Sequence, residues 1–161
     1  MYIGQMDINA IFENVRKDTS LLANIDMDEL LRATESDKND YLNNKTIDDI
    51  LDENIKAIHK LKLPKDETRD LCNKLVGYRL VENVFDIHKG KHIRWIRPPG
   101  TKITNGALVF DIKFMDNGTH ILCRNLQGRM FQIKFNECLV FQKLSVGEQL
   151  ILMAYEHLRK L

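Results

Sequence analysis

Between residues 90 and 143 the chain alternates apolar and polar positions in five short runs, separated by Pro-Pro-Gly, Asn-Gly, Asn-Gly and Gln-Gly. A period of two is that of a strand with one buried face. The first run, 91–97, sets Ile93 and Trp95 against His92 and Arg94 and stops at Pro98-Pro99-Gly100, where proline offers no ladder N–H. In 107–115, Leu108, Phe110, Ile112 and Phe114 share the face predicted to be buried, with Asp111 and Lys113 opposite. Asp116-Asn117-Gly118 then has the residues of a tight hairpin turn. Runs at 119–124, 129–135 and 138–142 follow, with Phe131, Ile133 and Phe135 on one face and Leu139 and Phe141 apolar in the last.

Five short strands in succession, mostly hairpin-connected, predict a small antiparallel barrel, because closure removes exposed edges. A longer first connection (98–106) and tighter later turns favour an SH3-like barrel over an OB-fold.

Helical spacing dominates outside this stretch. Residues 7–17 carry Ile8, Ile11, Phe12 and Val15 on one face, and 26–35 form a second short run. Residues 35–45 are polar and read as a linker. Thr46-Ile-Asp-Asp49 resembles a capping box and opens a helix with the stripe Ile47, Ile50, Leu51, Ile55, Ile58 and Leu61. After Pro64, a helix is predicted over 65–88, weakened at Gly77 and ended by Gly90. Ser145-Val-Gly-Glu148 is a capping box for a terminal helix with a wide apolar stripe. Packing on the barrel is the expected use of that stripe, and docking a partner the alternative.

The fold class expected is therefore α+β: a five-stranded SH3-like antiparallel β-barrel flanked by helices, with an N-terminal helical arm. The predicted organisation is an arm and linker at 1–45, a helical segment at 46–89, and the barrel with its terminal helix at 90–161.

Composition changes this picture little, but charge does. The 161 residues sum to a net charge of +1. Yet residues 18–53 hold eleven acids and three bases, and residues 54–104 hold twelve bases and five acids. An acidic stretch before a basic one can fold back on it or meet a different partner; both can equally be solvated helix faces. No apolar run reaches the ~20 residues a bilayer span needs. There is no secretory leader pattern, and the three scattered cysteines fit a reducing, intracellular setting.

The most suggestive chemistry is the basic run around Trp95. Lys89, Lys91, Arg94, Arg97 and Lys102 could neutralise phosphates, and an exposed Trp95 could stack a base. As the single tryptophan, sharing a face with Ile93, Trp95 could instead be core. Phe110, Phe114, Phe131, Phe135 and Phe141 all fall at inward spacing, which argues against an aromatic cage. The five histidines and three cysteines show no ligand spacing, and neither a nucleophile motif nor a phosphate-cradling glycine loop is present. No metal, cofactor or catalytic residue is expected.

The strings Gly90-Lys-His-Ile-Arg-Trp95, Thr104-Asn-Gly106, Asp116-Asn-Gly-Thr-His-Ile-Leu-Cys-Arg124 and Leu139-Val-Phe-Gln-Lys-Leu-Ser145 resemble small proteins of large nucleocytoplasmic DNA viruses. The resemblance spans roughly residues 80–158 and transfers no catalytic residue. It implies an infected cell as the setting, with the host cytoplasm, a viral factory or the virion as the location.

Two functions follow as expectations. One is a non-enzymatic adaptor that binds nucleic acid through Lys89, Lys91, Arg94, Trp95, Arg97 and Lys102, within a viral transcription or replication assembly. The other is a structural or interaction protein, such as a virion component, docking through Ile47, Ile50, Leu51, Ile55 and Ile58.

Overall fold

Six strands make one antiparallel sheet in the computed structural model, which describes residues 37–160. The helices expected at 7–17 and 26–35 lie outside the described residues. In chain order the elements are a 3-10 turn at Asp37–Leu42, α1 (Ile47–His59), α2 (Lys65–Lys74), β1 (Tyr78–Val81) and a 3-10 turn at Val84–Asp86. Then come β2 (His92–Ile96), β3 (Ala107–Met115), β4 (Gly118–Arg124), β5 (Met130–Lys134), a 3-10 turn at Phe135–Glu137, β6 (Leu139–Lys143) and α3 (Val146–Arg159). The chain divides into two units, residues 51–143 and residues 1–50 with 144–161; the boundary falls within α1.

In the unit of residues 51–143 the strand order is β1-β6-β2-β3-β4-β5, every neighbour antiparallel. The architecture is α+β as expected, but the sheet has six strands and does not close into a barrel. The extra strand comes from the segment expected to continue a helix to residue 88. That helix ends at Lys74, Gly77 takes a positive φ of 86°, and Tyr78–Val81 pairs with β6 instead. Tyr78, Leu80 and Val81 are as apolar at strand spacing as at helical spacing, and the free side of β6 decides between them.

One edge of the sheet is sealed by a side chain. Asn54 of α1 is buried, and its amide donates to the Tyr78 carbonyl (2.9 Å) while its oxygen accepts from the Leu80 N–H (3.0 Å). Those outward groups of β1 would otherwise offer a template for another strand.

The inner face carries the main core: Ile93, Trp95, Val109, Ile121, Cys123, Ile133 and Val140. On the outer face, Ala57 and Ile58 of α1 and Leu71 and Leu75 of the α2 segment pack on Ile96 and Phe141. A buried polar clasp holds the β1–β2 connection. Gln142, fully buried, accepts from the His88 N–H and donates to the His88 carbonyl, both at 2.9 Å, and accepts from Arg79 at 3.1 Å. Arg79 also donates to the Asp86 carbonyl.

The expected phase of β3 is overturned. Its register with β4 slips between Val109 and Asp111, leaving Phe110 as an extra, unpaired residue. Ala107 and Val109 point to the core before this bulge and Ile112 packs on it afterwards, while Leu108 and Phe110 are exposed. One inserted residue moves the following side chains to the other face. Of the five phenylalanines expected in the core, Phe110 is left outside by the bulge, and Phe114, although in the phase of Ile112, is exposed near the end of the strand, stacked on Phe85. Phe131 and Phe135 pack on the inner cluster, and Phe141 is buried under the helices.

In the other unit, the segment expected as a polar linker is a 3-10 turn that buries Leu42 completely. Leu42, Ile50, Leu144, Ile151, Leu152 and Tyr155 form its core. Both capping boxes close. The Thr46 N–H donates to Asp49 Oδ2 (2.9 Å) and the Asp49 N–H to Thr46 Oγ1 (3.3 Å), so aspartate serves where glutamate is usual. The Ser145 N–H donates to Glu148 Oε1 at 2.9 Å, and the Glu148 N–H to Ser145 Oγ at 3.1 Å.

Candidate nucleic-acid interface

The six residues expected to bind nucleic acid do not form one surface. Trp95 is 7% exposed, with its ring 5.9 Å from that of Phe131. It belongs to the core and cannot stack a base. The Arg94 guanidinium is committed to backbone carbonyls, donating to Thr104 and Lys74 at 2.9 Å each, and sits 5.9 Å over the Tyr78 ring. Lys89 pairs with Asp111 at 2.8 Å, and Lys91 is half-buried. Arg97 and Lys102 are exposed in the loop that leaves β2, which holds the cis Pro98–Pro99 peptide, at the opposite end of the strand from Lys89 and Lys91. Local sequence places these residues close together; the strand's extension separates them.

The stripe expected to dock a partner is also largely taken up within the chain. Ile50 and Ile58 are buried, in two different cores, and Ile47, Leu51 and Ile55 are half-buried. Leu150, Ile151, Leu152, Ala154 and Tyr155 of α3 are buried as well. Docking through either stripe would mean unpacking a core.

A different surface stays open. The helices cover the outer face over β1, β6 and part of β2; on β3, β4 and β5 the outer residues are exposed or half-buried, except His120, which is buried. The register lines up a row across this face: His92 opposite Leu108, Leu108 opposite Arg124, and Arg124 opposite Met130. Leu122 and Gln132 pair in the next row, beside Phe110. Leu108 (45%), Phe110 (59%) and Met130 (41%) are well exposed. Lys113 and Arg124 are exposed on the same strands, and Lys143 at the end of β6; none of the three is in an ion pair among the described residues. One carboxylate lies within the face, Asp111 opposite Leu122, and it is matched by Lys89; Glu137 is matched by Lys134 at 3.6 Å, and Asp116 is exposed in the turn after β3. The Lys89 contact holds Asp111 below the usual carboxylate range. The face thus mixes exposed apolar side chains with Arg124, Lys113 and Lys143, and its one carboxylate, Asp111, is neutralised by Lys89.

His92 sets the border between the covered and open halves. Its Nδ1 lies 2.9 Å from the Tyr78 hydroxyl. Burial, then the charges of Arg94 and Lys143, hold the imidazole below its ordinary value, and a hydrogen bond with the Asn105 backbone works the other way. Gly106 follows with φ 89°; a side chain there would overlap the Ile93 carbonyl and meet the His92 ring. Only glycine lets the loop return this close to β2.

The sequence did hold a sign of this surface. Ala107-Leu-Val-Phe110 is apolar in both phases, and a strand apolar in both phases exposes one of them unless both faces are covered. No group of three or more His, Cys, Asp and Glu side chains among the described residues could hold a metal ion. No described helix is long and apolar enough to cross a membrane. Comparison with family models, with curated proteins and with solved structures returned no match.

Proposed function

We propose that this protein is a non-enzymatic adaptor that binds nucleic acid on the open half of its sheet. The observation that carries the reading is Phe110, an aromatic pushed out of the β3 ladder by a bulge, 59% exposed, on a face whose free charges are Lys113, Arg124 and Lys143. Cations that neutralise phosphates release counterions, and an exposed ring can stack a base. Strands β2 to β6 follow one another in sequence, with β6 returning beside β2, which supports reading them as an SH3-like module. The resemblance of several strings to proteins of large nucleocytoplasmic DNA viruses favours a viral transcription or replication assembly as its setting.

The test is salt-titrated fluorescence anisotropy on the full chain, with mixed-sequence RNA and DNA probes. Binding should weaken steeply with salt, and Lys113→Glu with Arg124→Glu should weaken it and flatten the salt slope. Reversing Arg94 and Arg97 to Glu separates this face from the strand that the sequence favoured. Absence of binding at low salt would overturn the reading.

A second reading, docking to a protein as a structural component, is favoured by one observation. Phe85 and Phe114 stack at 5.7 Å while 78% and 63% exposed. Removal of both rings should then abolish self-association or capture of the partner without loss of fold.

A further inference from the structure

We infer that the open sheet face takes single-stranded rather than duplex nucleic acid, with unpaired bases on Leu108 and Phe110 and the backbone running past Arg124, Lys113 and Lys143. This deepens the nucleic-acid reading and rests on it.

The argument is the arrangement of apolar and charged groups. Leu108 and Phe110 are two exposed apolar residues on either side of the buried Val109, with the bulge turning the Phe110 ring out of the ladder. Both side chains are exposed, with Met130 two strands away in the row of Leu108, beyond Arg124, and Leu122 near Phe110, opposite the Lys89-paired Asp111. Positive charge lies on and around this face. Arg124 stands directly opposite Leu108, Lys113 lies further along β3, and Lys143 approaches His92 closely enough to lower its pKa.

A single strand matches both parts of this pattern. Its bases offer π-faces to Phe110 and Leu108, and its phosphates can swing outward to the cations. A duplex matches only one. Its bases are stacked away, so it would press phosphates onto Leu108, Phe110 and Met130 and strip them of water without a partner. Nor can a face at least three strands wide enter a major groove that admits one helix or a two-stranded ribbon.

The experiment compares a mixed-sequence 20-nucleotide single strand, as RNA and as DNA, with the blunt duplex of the same sequence, by anisotropy at one salt concentration. The single strand is expected to bind at least tenfold more tightly than the duplex. Phe110→Ala should lower single-strand affinity about tenfold, and Phe110→Trp should preserve it. Because the ring lies outside the core, Phe110→Ala should leave the urea midpoint unchanged, which separates lost binding from lost fold. Equal or tighter duplex binding overturns this inference and leaves the nucleic-acid reading standing. So does single-strand binding that ignores Phe110→Ala. Failure of every probe to bind at low salt overturns both and assigns the face to a protein partner.

Discussion

The rings of Trp95 and Phe131 lie 5.9 Å apart, although β3 and β4 stand between their strands in the sheet. Two strands separated in this way touch only if the sheet curls strongly over its inner face. The curl gives this sheet a closed core without a closed ladder. Trp95 packs there among Ile93, Val109, Ile121 and Val140. Trp95→Ala should cost about 3–5 kcal/mol, the range for removing a large buried aromatic, measured by urea unfolding followed by circular dichroism. A loss below about 1 kcal/mol would show that the contact does not organise the core.

Asn54 does for β1 what another strand would do. Replacing it with Ala leaves the Tyr78 carbonyl and the Leu80 N–H without their partner, a cost of about 1–3 kcal/mol. Native-state hydrogen exchange should locate the damage, with the Leu80 amide losing protection and that of Ile121 in the middle of the sheet keeping it. Equal loss at both sites would mean that Asn54 acts on global stability and not on the edge.

His92 makes stability depend on pH with a definite sign. Its folded pKa is lowered from 6.5, chiefly by burial, so the neutral form is the one the fold prefers. The unfolded state then binds its proton more readily. Stability from this group is complete above pH 6.5 and is lost as pH falls from there through the folded pKa. Urea midpoints from pH 8 to 5 should decline across this window, and His92→Gln should flatten the decline. A midpoint that rises on acidification would contradict the burial of a neutral imidazole.

Cys123 is fully buried on β4, and burial, with Cys138 nearby, pushes its thiol up to about 12. Almost no thiolate exists at pH 8, and only the thiolate is nucleophilic. Alkylation mapped by mass spectrometry should label Cys138 and Cys72 first, since both are half-buried, and Cys123 at the rate of global unfolding. Early labelling of Cys123 would place it outside the core.

Much of the fold was legible in short-range chemistry. The Asp116-Asn117 turn joins Met115 to Gly118 where the sequence sets it, because a tight hairpin depends on two residues and their backbone angles. The Ser145 box starts α3 for the same local reason. The candidate site was not legible. Phe110 and Phe114 sit at perfect inward spacing, and the bulge that exposes Phe110 is a property of pairing with β4. Trp95 lies in a basic run, but its environment is set by Phe131, 36 residues away in the chain.

By itself the sequence determined the α+β class, the positions of strands β2 to β6 and the caps of α1 and α3. Each rests on periodicity, turn residues or side-chain reach within a few positions. Only the tertiary structure decided that residues 78–81 are a strand, that Asn54 seals its edge, and which half of the outer face lies under helices. Those outcomes depend on which free hydrogen-bonding edge and which apolar surface a segment meets, and such partners lie far off in the chain.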